Sequence, residues 1–178
     1  MSSVPEPAAE VRPAPGPVRV VFVCTGNICR SPMAEVLARD AFARAGLGEA
    51  VTVSSAGTGG WHVGEGMDPR AAAELASAGH DTAHRAAQVG DEHLSADLVV
   101  ALDRGHAEHL RRAGVPPGRL RLLRSFDPDA HTEDVADPYY GDHTDFTHTR
   151  LAVERALPGL VREVRSLVTD RGGDTVDR

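Results

Sequence analysis

Short apolar runs alternate with helical patterns over most of the chain. Four runs rich in Val, Leu and Ala have the length of buried strands. They predict strands at Val18–Val23, Val51–Ser55, Asp97–Leu102 and Leu120–Leu123. Helical spacing predicts a helix through Met33, Val36, Leu37, Ala41 and Ala45, and further helices over Pro69–Ala78, Gly105–Ala113 and Asp145–Leu167. Pro158 is expected to kink or split the last helix.

The alternation of strands and helices predicts the architecture. Strands separated by helices are typical of an α/β fold, in which helices join parallel strands and cover the sheet. We therefore predict a Rossmann-like fold with a central parallel four-stranded sheet and helices on both faces. Right-handed crossovers bring the loops after the strand carboxyl ends to one edge, where open α/β sheets bind ligands.

The segment between the first strand and the first helix carries the most distinctive chemistry. It reads Cys-Thr-Gly-Asn-Ile-Cys-Arg-Ser-Pro from Cys24 to Pro32, with a thiol and a guanidinium near its two ends. Ser31 is expected to cap the helix and Pro32 to be its first residue, so the loop amides converge at a helix N-terminus. The loop is therefore predicted to bind an anion such as a phosphate group.

These residue types suit phosphoryl transfer to sulfur. A free thiol is mostly protonated at neutral pH, but amide N–H groups, a helix N-terminus and a cation favour the thiolate, so Cys24 is expected to be nucleophilic. The planar fork of Arg30 can hold two phosphoryl oxygens. Gly26 lets the backbone approach the phosphate closely, and Ser31 can donate a hydrogen bond to the Cys24 sulfur as it leaves.

Composition and charge limit the classes of function. A chain of 178 residues with 41% hydrophobic and 25% charged residues fits one globular domain. Its net charge of −7 argues against nucleic acid or an anionic membrane as a partner, so phosphate recognition has to be local. Two cysteines do not make a disulfide scaffold, and the N-terminus lacks the pattern of a signal peptide, which predicts residence in the cytoplasm.

The predicted domain occupies residues 18–169. Residues 1–17 are rich in Pro and Ala and have no periodicity that would bury a face, so a disordered extension is expected. Residues 170–178 are expected to form a flexible tail. No stretch approaches the length of a membrane span. His106 and His109 are predicted to lie on a solvated helix face, and neither a metal nor a cofactor is predicted.

Two separate motifs together resemble one enzyme family. The segment from Val23 to Glu35 resembles the phosphate-binding loop of the low-molecular-weight protein tyrosine phosphatases, and the Asp-Pro-Tyr-Tyr run at Asp137–Tyr140 is similar to the loop that carries their general acid. The resemblance runs from about Val18 to about Val168 and is greatest to mycobacterial-type members from actinobacteria. Shorter similar segments are Ser54–Thr58, Trp61–Gly64, Asp68–Arg70, His84–Gln88 and Ala101–Asp103.

The resemblance implies roles for individual residues. Cys24 would be the nucleophile that forms a phosphocysteine, Arg30 the group that binds the phosphoryl oxygens, and Asp137 the acid that protonates the leaving phenolate. The substrate-binding residues are expected to be Thr25, Gly26, Asn27, Ile28, Cys29, Ser31, Trp61, Tyr139 and Tyr140. The residues similar to those that hold the loop in shape are Asn27, Ser55 and His84.

A physical argument also favours Asp137 as the acid. Transfer from a phenol leaves an oxygen that benefits from a proton donor, and the same carboxylate can accept a proton from the water that attacks phosphocysteine. The Asp-Pro pair alone is equally typical of a turn, so the cysteine loop is what gives Asp137 this interpretation. Asp103 matches a further carboxylate near the site of the resembled family, and its role is left open.

The predicted function is hydrolysis of phosphotyrosine in proteins by a monomeric phosphatase. Three alternatives stay open. Thiol-coupled arsenate reductases share the loop but need further cysteines, and none follows Cys29. Protein arginine phosphatases typically carry Thr where Ile28 stands and lack the paired tyrosines at Tyr139–Tyr140. A non-catalytic phosphotyrosine-binding module would not need the nucleophile, the arginine and the acid together.

Two regulatory hypotheses come from the same residues. Tyr139 and Tyr140 are candidate phosphorylation sites for a tyrosine kinase. Cys29 shares the loop with Cys24, so it is either a thiol that traps oxidised Cys24 as a disulfide or a small buried filler. The resemblance also raises export of the protein without a signal peptide.

Overall fold

A four-stranded parallel sheet forms the centre of the protein. The computed structural model describes residues 16–173. The strands are β1 Val18–Cys24, β2 Val51–Gly57, β3 Leu98–Ala101 and β4 Leu120–Leu122, in the spatial order β2-β1-β3-β4. Cys24 pairs with Gly57 of β2, and Val23 pairs with Ala101 of β3, so three strand carboxyl ends meet at one edge. The predicted α/β fold with a four-stranded parallel sheet is confirmed.

Within residues 16–173, five α-helices connect and cover the strands. They are α1 Arg30–Arg44, α2 Pro69–Ser77, α3 Asp91–Leu94, α4 Arg104–Arg112 and α5 His143–Gly173. Short 3-10 helices occupy Pro117–Arg119 and Leu123–Phe126. The four long helices match the predicted ones within a few residues, except that α5 runs to Gly173. The hydrophobic pattern did not predict α3 or the 3-10 turns, because three or four residues are too few to show a period.

The alternation of side chains along β1 explains why both faces of the sheet are covered. Val20 and Phe22 belong to a core that includes buried residues of α1, α2 and α5. Val21 and Val23 point to the opposite face, where they pack in a smaller core with Leu110 of α4. Successive residues of a strand face opposite sides, so β1 carries apolar residues on both faces from Val20 onward.

Helix α5 passes through Pro158 without splitting. Proline removes one backbone hydrogen bond from a helix interior, and the sequence therefore predicted a kink or a break. Ala156, Leu160 and Val164 lie on both sides of this position and are fully buried in the core. Their packing holds both parts of the helix against the sheet.

The two ends of the described chain contact each other. The guanidinium of Arg171 donates to the carbonyls of Gly16 and Pro17 at 3.0 and 2.8 Å and pairs with Asp97 at 2.6 Å. Of the predicted tail, residues 170–173 belong to the last turn of α5. The rest of that tail and residues 1–15 of the predicted extension lie outside the described residues. Within 16–173, every helix is too short or too polar to cross a bilayer.

Gly159 fixes the distance between α5 and the segment that follows β4. A Cβ atom at this position would lie 2.3 Å from the carbonyl oxygen of Phe126. Phe126 ends the last 3-10 turn before the loop that carries Asp137. The absence of a side chain on α5 therefore sets where this loop begins.

We expect Gly159→Ala to destabilise the protein by about 1–3 kcal/mol, although alanine is the better helix former, because the added methyl group overlaps a backbone carbonyl. Gly172→Ala in the same helix is the matched control, since among residues 16–173 no atom beyond the neighbouring helix backbone lies within 4 Å of its added Cβ. The measurement is denaturant unfolding of both variants. Equal stability of the two variants would contradict the close packing.

Candidate active site

The loop between β1 and α1 enters the helix two residues earlier than the sequence predicts. Helix α1 begins at Arg30, with Cys29 as its N-cap and no side-chain cap hydrogen bond. The prediction that Ser31 is the cap and Pro32 the first helical residue is wrong. Pro32 is tolerated in the first turn because its missing N–H would have no partner in the helix.

The loop amides are available to an anion. Residues 25–29 belong to no helix or strand, and none of their backbone amides donates a hydrogen bond to a backbone carbonyl of the described residues. Asn27 is the non-glycine residue of the described chain with a positive φ, at 56°. A left-handed residue in the middle of the loop turns successive N–H groups toward a common centre, which is the geometry of an anion nest.

The side chain of Asn27 directs the hydroxyl of Ser31 toward the nucleophile. Oδ1 of Asn27 accepts from the amide of Ala87 at 2.9 Å, so Nδ2 donates to the hydroxyls of Ser31 and Ser55 at 2.8 and 2.9 Å. Ser31 thus accepts from Asn27, and its hydroxyl lies 2.9 Å from the sulfur of Cys24 and 3.5 Å from the carbonyl of Ala56. A Cys24 thiolate can only accept, so the nearer contact becomes a hydrogen bond from Ser31 to sulfur when the thiol is ionised. Both Asn27 and Ser31 are completely buried.

A carboxylate and an imidazole complete this support. Ser55 donates to Oε2 of Glu35 at 2.6 Å, and His84 donates through Nε2 to the carbonyl of Asn27 at 2.7 Å. The structure places Asn27, Ser55 and His84 together, as the resemblance implied. Sequence reasoning missed Glu35, whose contact with Ser55 joins α1 to β2.

Arg30 is held rigidly on one side. Its Nη1 donates to Oδ2 of Asp103 and to the carbonyl of Val135, both at 2.9 Å. Its Nη2 makes longer contacts, 3.5 Å to the hydroxyl of Thr25 and 3.6 Å to the carboxylate of Asp137. The guanidinium is therefore oriented before an anion binds, and Asp103 acts as its anchor.

The cavity at this edge of the sheet has a volume of about 340 Å³. It is lined by Cys24, Thr25, Gly26, Ile28, Cys29, Arg30, Trp61, His62, Asp137, Tyr139 and Tyr140. Asn27 and Ser31, which the sequence assigned to substrate binding, are completely buried and do not line the cavity. His62 was not predicted. A Cβ at position 26 would lie 3.1 Å from its ring, so the Gly26 position leaves room for this imidazole.

Aromatic side chains form the open rim of the cavity. Trp61 is 73% exposed, Tyr139 39% and Tyr140 93%, which is unusual for large apolar rings. The two tyrosine rings meet edge to face, with centroids 4.9 Å apart. A deep end with a thiol and a guanidinium and a rim of rings together suit an aryl phosphate.

Asp137 lies on the rim with its carboxylate half exposed. Its Oδ1 accepts from the amide of Tyr139 at 3.1 Å, and its Oδ2 is the atom 3.6 Å from Arg30. The structure thus brings Asp137 into the same cavity as Cys24, from a loop more than a hundred residues away. This position suits a group that exchanges protons with the substrate.

His106 is buried, and the prediction of a solvated face is wrong for this residue. Its Nε2 shares a hydrogen bond of 2.8 Å with the hydroxyl of Thr25, and its Nδ1 lies 3.2 Å from Oδ1 of Asp103. Burial lowers the pKa of His106 to about 4. The ring is therefore neutral at neutral pH and packs under the loop. Among residues 16–173, no group of three or more His, Cys, Asp or Glu is arranged to hold a metal.

Cys29 is a buried free thiol, as is Cys24. Burial, with the carboxylate of Asp68 nearby, raises the pKa of Cys29 to about 12. A protonated thiol is a poor attacking group, which favours the hypothesis of a buried filler over that of a thiol that traps oxidised Cys24.

Substitution of Asn27 separates backbone strain from side-chain support. We expect Asn27→Ala and Asn27→Gly each to weaken the binding of inorganic phosphate more than tenfold, because both remove the hydrogen bonds to Ser31, Ser55 and Ala87. The free energy of unfolding of Asn27→Gly is expected to exceed that of Asn27→Ala by about 1 kcal/mol, since only glycine adopts a positive φ without strain. Phosphate titration and denaturant unfolding test this. Equal free energies of unfolding for the two variants would contradict backbone strain at position 27.

The pH dependence of stability reports on His106. The pKa of His106 is lower in the folded state than in the unfolded state. The contribution of His106 to the free energy of unfolding is therefore complete above pH 6.5 and is lost as the pH falls toward about 4. Between these limits, unfolding free energy should fall by roughly 2–3 kcal/mol more in the wild type than in His106→Gln. His109→Gln, on the exposed side of the same helix, is the control and should keep the wild-type slope. An unchanged slope in His106→Gln would refute the prediction.

Comparison with known proteins agrees with this geometry. A family model for low molecular weight phosphotyrosine protein phosphatases matches residues 19–169. Low molecular weight protein-tyrosine phosphatase A of Mycobacterium tuberculosis is 60% identical over 146 residues, which cover 81% of this chain and 90% of that protein. The predicted similarity to mycobacterial members is confirmed.

Solved structures resemble the whole domain. A protein tyrosine phosphatase from Entamoeba histolytica aligns with a TM-score of 0.79 at 27% identity, over 84% of this chain and 97% of that one. The YwlE arginine phosphatase, in a variant with a phosphorylated active-site serine, aligns with a TM-score of 0.74 at 31% identity, over 83% and 96%. This chain belongs to the low molecular weight phosphotyrosine protein phosphatase family.

Proposed function

We propose that the protein hydrolyses phosphotyrosine in proteins through a phosphocysteine formed at Cys24. One observation carries the proposal: the sulfur of Cys24, the guanidinium of Arg30 and the carboxylate of Asp137 line one cavity whose rim is aromatic. The sulfur and the guanidinium suit a phosphoryl group, and the rim suits the ring of tyrosine.

The first chemical step transfers the phosphoryl group to sulfur. The loop amides and the outer edge of Arg30 bind the phosphoryl oxygens and stabilise the charge that develops on them. The Cys24 thiolate forms a bond to phosphorus while the bond from phosphorus to the phenolic oxygen breaks. Asp137 gives its proton to that oxygen, so tyrosine leaves as a neutral phenol.

The second step returns the enzyme to its starting state. Water attacks phosphorus, Asp137 accepts a proton from this water, and the bond from phosphorus to sulfur breaks. The hydroxyl of Ser31 donates to the Cys24 sulfur at 2.9 Å and stabilises the departing thiolate. Asn27 supports this direction of the hydroxyl through both steps, since its amide donates to one of the two lone pairs of Ser31 and leaves the hydrogen for the thiolate.

The rim favours phosphotyrosine over other phosphorylated side chains. Phosphotyrosine holds its phosphate at the end of a long flat ring, so the phosphate can reach Cys24 while the ring lies between Trp61 and the tyrosines. Phosphoserine would not bring its own apolar surface to this rim. Cytoplasmic residence, the monomeric state and modification of Tyr139 or Tyr140 by a kinase remain predictions from the sequence.

The decisive experiment compares phosphate release from phosphotyrosine and phosphoarginine peptides in the presence of a chelator. We expect the wild type to release phosphate from phosphotyrosine, and Cys24→Ser to lose at least a thousandfold in rate, because a serine hydroxyl is rarely ionised. Rapid quenching with a labelled substrate should leave phosphate on the wild-type protein and none on Cys24→Ser.

Each other outcome identifies an alternative. Turnover of phosphoarginine alone would make the protein an arginine phosphatase. Turnover of neither peptide, with arsenate reduced in the presence of thiol, would make it an arsenate reductase. Tight binding of phosphotyrosine peptide without turnover would make it a binding module. Circular dichroism of Cys24→Ser checks that the variant remains folded.

A further inference from the structure

The first turn of α2 touches both loops of the active site. The amide of Asp68 donates to the carbonyl of Ile28 in the phosphate loop at 2.8 Å, and the Asp68 carboxylate caps α2 through the amide of Arg70. The side chain of Arg70 extends in the other direction, to the loop that carries Asp137. Asp68 and Arg70 therefore connect the phosphate loop to the loop of residues 127–142, which carries Asp137 and is called the acid loop below.

Arg70 holds the acid loop through two backbone carbonyls. Its Nη2 donates to the carbonyl of Tyr139 at 2.9 Å, and its Nη1 donates to the carbonyl of Gly141 at 3.0 Å. The amide of Tyr139 in turn donates to the carboxylate of Asp137 at 3.1 Å. Arg70 thus holds the residue whose own amide orients the proposed acid.

The guanidinium of Arg70 is itself fixed in place. Its Nε and Nη2 donate to the two carboxylate oxygens of Asp68 at 3.1 and 2.9 Å, and its central carbon lies 4.6 Å from the centroid of the buried Phe146 ring. The hydrogen bonds from Arg70 hold the pKa of Asp68 below its ordinary value, so this carboxylate remains charged. A planar fork with these contacts has little freedom left.

The acid loop is held on both sides of Asp137 by contacts with other elements. Before Asp137, the amide of Val135 donates to the carbonyl of Leu102 at 2.8 Å, and Arg30 donates to the carbonyl of Val135 at 2.9 Å. After Asp137, Arg70 holds the carbonyls of Tyr139 and Gly141.

Asp137, Tyr139 and Tyr140 are exposed, and residues 127–142 contain no helix or strand. A tight turn is present, since the amide of Gly141 donates to the carbonyl of Pro138 at 2.9 Å. This turn fixes the local shape of the loop, and its distance from the phosphate loop depends on contacts with other elements.

We propose that Arg70 is a positioning residue that holds Asp137 at the correct distance from Cys24 for proton transfer to the leaving group. The inference rests on the proposed function, in which Asp137 is the general acid. Arg70 does not line the cavity, so it acts through the backbone of Tyr139 and Gly141.

The acidity of the leaving group distinguishes positioning from general stability. A phenol that is a weak acid needs a proton as it leaves, whereas dinitrophenol leaves readily as the anion. Loss of a well-placed acid therefore slows poor leaving groups selectively. Loss of stability would reduce the amount of active enzyme and slow all substrates by the same factor.

The experiment measures kcat/KM of Arg70→Met on phenyl, 4-nitrophenyl and 2,4-dinitrophenyl phosphate. We expect kcat/KM to fall roughly tenfold or more on phenyl phosphate and less than about threefold on 2,4-dinitrophenyl phosphate, because only the weakly acidic phenol needs the proton of Asp137 as it leaves. Arg70→Lys keeps the charge but lacks the fork, and it is expected to show the same selectivity. It also serves as the milder variant if Arg70→Met does not fold.

Two further variants make the result specific. Arg150→Met is the matched control, because Arg150 also forms an ion pair at α2, with Glu74 at 2.7 Å, and does not contact the acid loop. It should show no dependence on the leaving group. Asp137→Asn should show the strongest dependence, and adding Arg70→Met to it should cause no further selective loss.

The outcomes separate this inference from the proposed function. If Asp137→Asn is selective while both Arg70 variants lose activity equally on all three substrates, the acid is correct and the role of Arg70 is wrong. If Asp137→Asn itself shows no selectivity, the assignment of the acid fails, and the positioning role fails with it.

Discussion

The conformation of Asn27 is the constraint on which the site depends. A left-handed residue in the loop after β1 lets the chain curl so that its amides surround an anion. This conformation is unfavourable for a residue with a Cβ, and buried hydrogen bonds from the same side chain compensate for it. Those bonds also orient Ser31 toward the sulfur of Cys24, so one side chain maintains both the shape of the loop and its chemistry.

Charged groups of the site are oriented by the ends of neighbouring elements. Asp103 caps α4 through the amide of His106 and anchors Arg30, so the carboxylate that stabilises a helix end also fixes the guanidinium. Asp68 caps α2 and fixes Arg70 in the same way. In both cases a carboxylate at a helix N-terminus is fixed by the helix backbone. It therefore holds a guanidinium more rigidly than a carboxylate on a flexible loop would.

The sequence contained most of the fold and the reacting groups. Apolar runs predicted all four strands, and helical spacing predicted every helix longer than four residues. Cys24, Arg30 and Asp137 were recognised from two short motifs, and the structure places all three on one cavity. These predictions succeeded because strand burial and loop chemistry are local properties of the chain.

The contacts between distant segments were decided only by the tertiary structure. The sequence assigned Asn27 and Ser31 both to the substrate and to support of the loop and the sulfur, and in the structure both are completely buried and make the supporting contacts. His106 was expected on a solvated face, yet it is buried and hydrogen-bonded to Thr25. A local pattern shows which residues are polar but not which side of a loop they occupy. The sequence by itself determined the chemistry available to this protein, and packing of α2, α4 and the acid loop around β1 determined which groups are held within reach of one another, because hydrogen-bond partners far apart in sequence meet only after folding.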